Sequence, residues 1–272
     1  MSIIALSREL GAGAEEIIES VCRELGYISV DKQEIGEMVT GYGFQFDSLE
    51  KYDEKKPPFW EFVSGERSKV LHTVKIAIYD LARKGNVIII GRGGFLLLKD
   101  IPGVLRVKIV APFETRVRNM AKTGKSPKEI EDILRNSDRE REGFIRHYYH
   151  ADENDTHRFD LVINTEKISF DKAARLIIES RRLMDEPGSE AEAREKLADL
   201  AIKLKVELAV TQDKKVDITS LDVEVNQGNV EITGFVRNEQ YKKACEEAAL
   251  RVEGVKSVDN RITIASALPY GQ

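Results

Sequence analysis

Four short stretches with apolar cores punctuate the first two thirds of the chain: "IIAL" at 3–6, "GNVIIIGRGG" at 85–94, bounded by glycines, "VLRVKIVAP" at 104–112, ended by Pro112, and "FDLVINT" at 159–165. A strand with one wet face alternates apolar and polar residues, whereas a strand covered on both faces does not. Between these runs lie segments with helical spacing. Ile17, Ile18, Val21, Cys22 and Leu25 form one, stopped by Gly26, and Val70, Val74, Ile78 and Leu81 form another. Arg116 to Tyr149 reads as charged helix broken at Gly124 and Pro127, and Ser169 reads as the cap of a helix running to about Met184. "YISVDKQEIGEMV" adds a short strand leading into a helix, and residues 44–65, with Pro57, Pro58 and Trp60, read as irregular chain with helical pieces. The pattern predicts an α/β domain, a parallel sheet with helices on both faces.

The periodicity stops at "DEPGSEAEARE", which has the composition of a linker. A second unit follows. A helix near 192–210 precedes two alternating strands, with Leu221, Val223 and Val225 on one face and Val230, Ile232 and Val236 on one face of the next. Gln227-Gly228 supplies the hairpin, and a helix near 238–252 and the strand "VDNRITI" complete an αββαβ order, a small α+β domain. The expected organisation is 1–184, a linker at 185–191, and 192–272, with the two domains folding separately.

Charge and cysteine usage narrow the function classes. A net charge of -5 argues against nucleic acid or an anionic membrane surface as partner. Cys22 and Cys245 form neither a metal-ligand spacing nor a disulfide framework, which fits reduced thiols in a cytoplasmic protein. Neither a signal peptide nor a membrane-spanning run is legible. His147, His150 and His157 lack the spacing and companions of a metal centre and read as surface histidines, so no metal-ligating residue is assigned.

The chemistry concentrates at "SRELGAGAEE", a glycine-rich turn between a strand and a helix. Gly11 and Gly13 allow backbone amides to turn toward an anion at a helix start. Against the loop pattern G-x-x-x-x-G-K-[ST], Arg8 stands at the first glycine, Ala14 at the lysine and Glu15 at the hydroxyl residue. The turn therefore reads either as a phosphate cradle without its cation or as a tight turn that needs glycine for packing. Arg92 follows a strand directly, at the edge where open α/β sheets bind ligands, between glycines that leave it uncovered. "NSDRERE" adds Arg139 and Arg141; Arg135 and Arg139 share one helix face and Arg141 lies on another. Guanidinium forks match phosphate oxygens, although a solvated helix with pairs such as Glu131–Arg135 accounts for the same pattern.

In order along residues 1–184, "ALSRELGAGAEEI", "ELGYISVDKQEI", "VIIIGRGG", "LRVKIVAPFETRV", "NSDRER" and "FDLVINTEKIS" resemble the cytidylate kinase-like family, a branch of the P-loop nucleoside monophosphate kinases. The resemblance implies a P-loop kinase fold that transfers a phosphoryl group from ATP, with Mg²⁺, to a nucleoside monophosphate, with CMP the candidate. It implies that Arg8, Gly11, Ala12, Gly13, Ala14 and Asp31 bind nucleotide, with Asp31 near the acceptor. It implies that Arg92 holds the acceptor's phosphate and that Arg116, Arg139 and Arg141 form a catalytic lid. Members of this branch read like S-R-x-x-G-S-G-G-R-E; here Ala12, Ala14 and Glu15 replace serine, glycine and arginine. The alternative function is a catalytically inactive nucleotide sensor. "VEVNQGNVEITGFVRN" and "ACEEAALRVEGVKSVDNRITI" resemble a BON domain, which implies a phospholipid or small-ligand partner.

Overall fold

The computed structural model describes residues 2–41, 65–184, 188–213 and 215–265. The expectation for 44–64 lies outside the described residues. The chain divides into two compact units, one of Met1–Val70 and Lys84–Glu190, the other of Leu71–Arg83 and Ala191–Gln272.

In the first unit, strands β1 (Ile3–Arg8), β2 (Ile28–Val30), β3 (Val87–Ile90), β4 (Val104–Val110) and β5 (Leu161–Asn164) form one sheet in the order β2-β3-β1-β4-β5. Every pairing is parallel, as the non-alternating runs predict. β1 is central, with Ile3 opposite both Val87 and Val104, so its carboxyl end opens between the ends of β3 and β4. Its residues are buried on both sides. Helices α1 (Ala14–Leu25) and α2 (Lys32–Gly41) follow β1 and β2, and α3 (Gly65–Lys84) precedes β3. A short α4 (Gly94–Leu97) follows β3, α5 (Phe113–Met120) and α6 (Pro127–Tyr149) follow β4, and α7 (Phe170–Leu183) follows β5.

One core cluster packs Ile17, Ile18 and Val21 of α1 and Ala173, Ala174, Ile177 and Ile178 of α7 against Ile4, Leu6, Leu105, Val107 and Ile109. The expected break before α6 is real: Gly124 turns at φ 74 and Ser126 caps the helix, with Pro127 in its first turn. Ser126 and Glu129 form a full capping box. Ser169 occupies the N-cap of α7 but makes no side-chain cap bond, so only its position matches the expectation.

In the second unit, α8 (Ser189–Gln212) is followed by β6 (Ile218–Asn226), β7 (Asn229–Val236), α9 (Glu239–Leu250), β8 (Ser257–Asn260) and β9 (Thr263–Ile264). β6 runs antiparallel to β7, and both β8 and β9 run parallel to it. The expected single last strand is thus two, interrupted where Ile262 drops into the core at 2% exposure. Gln227 and Gly228 make the hairpin with φ 52 and 78, the left-handed pair of a type I′ turn. Asp199 of α8 ties down that turn by accepting from the amides of Gln227 and Gly228 at 2.7 and 2.9 Å.

The Leu71–Arg83 stretch of α3 groups with this C-terminal unit although it precedes β3 in sequence. His72 meets Glu207 at 2.8 Å and Lys205 meets Asp80 at 2.7 Å, joining α3 to α8. With a protease site inserted after Gly188, the cut chain is expected to co-elute as one species in gel filtration. Separate elution of 1–188 and 189–272 would show that Leu71–Arg83 is dispensable to the C-terminal half.

Candidate nucleotide site

The glycine-rich turn leaves the end of β1 at Arg8 and enters α1 at Ala14. Gly11 and Gly13 take φ 82 and 81, where side-chain-bearing residues are strained, and Gly13 caps α1 without any side-chain bond. The first amides of a helix have no partner inside it, so this turn has the backbone geometry of an anion cradle. Its surroundings are less open. A Cβ on Gly13 would lie 2.2 Å from the ring of Phe170, and one on Gly11 would lie 3.1 Å from the Arg116 carbonyl oxygen. Asn119 Nδ2 donates to the Gly11 carbonyl at 2.9 Å, and Thr165 Oγ1 donates to the Ala12 carbonyl at 2.9 Å. A Cβ at Gly13 has no room, whereas at Gly11 the positive φ is the firmer constraint. Ala12 and Ala14 are buried, while Glu15 and Glu16 project from the first turn of α1.

Arg116 opens toward this loop from α5, but its guanidinium is closed on a carboxylate. Nη1 and Nη2 meet the two oxygens of Asp138 at 3.0 and 2.9 Å, a fork-to-fork pair. The same group lies 3.5 Å from the Leu10 carbonyl and 3.6 Å from Glu9. Arg141 bonds Asp138 at 3.1 Å and Glu153 at 2.8 Å. Glu153, only 2% exposed, also accepts from the Ser7 hydroxyl. Lys108 Nζ donates to the Glu153 carbonyl at 2.8 Å. Burial opposes the charge on Arg141, but Glu153 and Asp138 outweigh it and raise its pKa. Arg139, on the other face of α6, is exposed, and the Glu131–Arg135 pair is present at 3.9 Å. The structure therefore brings Arg116 and Arg141 together beneath the loop and leaves Arg139 on the helix surface.

Arg92 sits at the carboxyl end of β3 in a run of three left-handed residues, Gly91, Arg92 and Gly93, with φ 70, 52 and 73. It is half-buried, not uncovered as the flanking glycines suggested. The space beside Gly93 is filled by Tyr149, whose ring would lie 2.4 Å from a Cβ there. Asp31 is exposed at the start of α2 and caps it, accepting from the Gln33 amide at 2.6 Å. Burial raises the Asp31 pKa, but bonds from Glu34 and Gln33 and the Arg8 guanidinium outweigh it and hold the carboxyl below its usual range. Arg8 and Asp31 thus share an electrostatic neighbourhood at the strand ends.

The model of the cytidylate kinase-like family matches residues 3–167. The chain belongs to the cytidylate kinase-like family. Residues 198–266 match the BON domain. The cytidylate kinase of Pyrobaculum islandicum is 29% identical over 184 residues, covering 66% of this chain and 92% of that protein. A uronate isomerase of Corynebacterium glutamicum is 34% identical over 104 residues, but these are 38% of this chain and 20% of that enzyme, too little to carry its activity. An uncharacterized protein from Eubacterium ventriosum shares the fold, with a TM-score of 0.53 at 18% identity over 67% of this chain and 99% of that one. No helix among the described residues is long and apolar enough to cross a membrane.

Within this kinase-like frame the residues at the loop do not fit a magnesium-bound triphosphate. Against the general loop pattern Ala14 stands at the lysine and Glu15 at the hydroxyl residue, against the family's own pattern Glu15 stands at the arginine, and the buried Arg116 guanidinium is engaged by Asp138. Among the described residues, no group of three or more His, Cys, Asp or Glu could hold a metal.

Asp138 and Glu153 escaped the sequence reading because they lie 22 and 12 residues from the arginines they hold. Their one signal is "SDRE", where an acidic residue precedes Arg141 by three on a helix. Removing one member of a buried pair leaves the other charge uncompensated. Glu153→Ala is therefore expected to destabilise the protein by about 3–5 kcal/mol in urea unfolding. Arg139→Ala, on the exposed face, is expected to stay within about 0.5 kcal/mol of the parent. Equal small effects would show that the network is not structural.

Proposed function

We propose that this kinase-like protein binds a nucleoside monophosphate at the β3 turn while phosphoryl transfer from ATP is weak or absent. The observation that carries the reading is the closure of Arg116 on Asp138 beneath a loop that has Ala14 in place of a cation. A triphosphate at that loop would meet Glu15 and Glu16 and would have to displace Asp138 to recruit Arg116. Phosphoryl transfer depends mainly on positioning and on neutralising such charge. The acceptor side differs. Arg92 is half-buried at the strand ends, with Arg8 and Asp31 nearby in the same sheet edge. CMP is the candidate ligand because the relatives are cytidylate kinases. The BON domain would take a phospholipid or small ligand, which makes a regulatory role the reading for the whole chain.

Two assays test this. With CMP and Mg·ATP, turnover is expected at least about a hundredfold below the ~1–100 s⁻¹ of ordinary kinases. Arg92→Ala is expected to weaken CMP binding by about one to two orders of magnitude in calorimetry, since a charge-assisted bond contributes ~1.5–3 kcal/mol. Cytidine, which has no phosphate, should bind both proteins equally. Turnover at ordinary rates would overturn the weak-transfer reading. Unchanged CMP affinity in Arg92→Ala would overturn the Arg92 assignment.

A further inference from the structure

Arg92 adopts a backbone conformation that a side-chain-bearing residue seldom takes, and the structure shows what holds it there. Its φ of 52 lies between two glycines that are also left-handed. The turn is closed from below by the sheet, where the Gly91 amide donates to the Leu6 carbonyl at 2.9 Å, and by α4, where the Gly94 amide donates to the Gly91 carbonyl at 2.9 Å. Neither bond fixes the peptide that follows Arg92. That peptide is fixed from α6. The Tyr149 hydroxyl donates to the Arg92 carbonyl at 2.8 Å, and the Tyr149 ring lies so close to Gly93 that only glycine fits. The Arg92 guanidinium carbon stands 5.9 Å from the centre of the Phe144 ring, which itself lies 6.1 Å from the Tyr149 ring. Phe144 is buried and belongs to the same last turns of α6.

We infer that Tyr149 is a positioning residue for Arg92: its hydroxyl locks the left-handed turn so that the guanidinium is preset for a nucleotide's phosphate. Phe144 supplies the ring beneath that guanidinium. This rests on the reading of Arg92 as the phosphate anchor. A strained turn that is held in place before binding does not have to be ordered at the moment of binding, so its hydroxyl lock appears as affinity for the anion. The nucleoside part of the ligand draws nothing from the lock.

The test is calorimetry of the full chain with CMP and with cytidine, for the parent, Tyr149→Phe, Arg92→Ala and the double variant. Tyr149→Phe removes one oxygen and keeps the ring against Gly93. It is expected to weaken CMP binding by about five- to tenfold, with cytidine affinity unchanged. In the Arg92→Ala background the same change should cost nothing further, because the group it positions is gone. Equal losses for CMP and cytidine, or additive losses in the double variant, would overturn the inference and make Tyr149 a packing residue only. If Arg92→Ala weakens CMP binding and Tyr149→Phe does not, the inference fails while the Arg92 assignment stands. If CMP fails to bind the parent, both fall. Should Tyr149→Phe not fold, Phe144→Leu reads the same coupling by removing the ring face under the guanidinium. It should weaken CMP and leave cytidine unaffected, and unchanged CMP affinity there would overturn the inference.

Discussion

The bidentate pair between Arg116 and Asp138 is the contact on which the rest of the candidate nucleotide site depends. Asp138 accepts from Arg116 at 3.0 and 2.9 Å and from Arg141 at 3.1 Å. Arg141 in turn holds Glu153, and Glu153 holds Ser7 near the end of the central strand. At the other end of the chain of contacts Arg116 approaches Glu9, whose carboxylate accepts from the Ala111 amide at 3.0 Å. The network thus ties the ends of β1 and β4 to α5 and α6. Both guanidiniums are buried, and a buried charge persists only when it is paired and hydrogen-bonded. Three carboxylates face two arginines here, and Lys108 on the Glu153 carbonyl adds the balancing cation. The charge of these two guanidiniums is balanced inside the protein.

The two turns at the sheet's carboxyl edge use the same backbone device for different ends. At the first, left-handed glycines let Phe170 and Arg116 press against the chain, and the loop's carbonyls are taken up by Asn119 and Thr165. At the second, left-handed glycines flank an arginine, and Tyr149 secures its carbonyl. α6 serves both turns, through Asp138 and Arg141 near its middle and Phe144 and Tyr149 near its end. At 1.5 Å of rise per residue, Asp138 and Tyr149 stand roughly 16 Å apart along it. One helix therefore contributes contacts to both turns, each of them closely packed.

Much of the architecture is legible in the sequence because burial on both faces erases alternation. "VIII" and "VLRVKIV", short and bounded by turn residues, read as covered strands, and the parallel order follows from the helices between the strands. The αββαβ order of the C-terminal part is equally plain, since Val223 and Val230, Ile232 and Val236 point one way into its core. Residues that depend on distant partners were not legible. Arg116 and Arg141 carry the right chemistry for phosphate, and the one local hint, Asp138 three residues before Arg141, does not reveal that Asp138 also claims Arg116 or that Glu153 claims Arg141. Arg92 follows a strand end, as its position in "VIIIGRGG" implies, yet Tyr149, 57 residues on, fills the space its glycines suggest. Leu71–Arg83 groups with the C-terminal unit, where His72 meets Glu207, 135 residues on, a proximity that no local pattern records.

Amide hydrogen exchange of the full chain, with CMP and separately with Mg·ATP, reads both turns at once. CMP is expected to slow exchange at Gly91–Leu97, and Mg·ATP to leave Glu9–Glu16 as it was. Protection of Glu9–Glu16 by Mg·ATP, or no protection of Gly91–Leu97 by CMP, would contradict a closed loop beside a phosphate-binding Arg92.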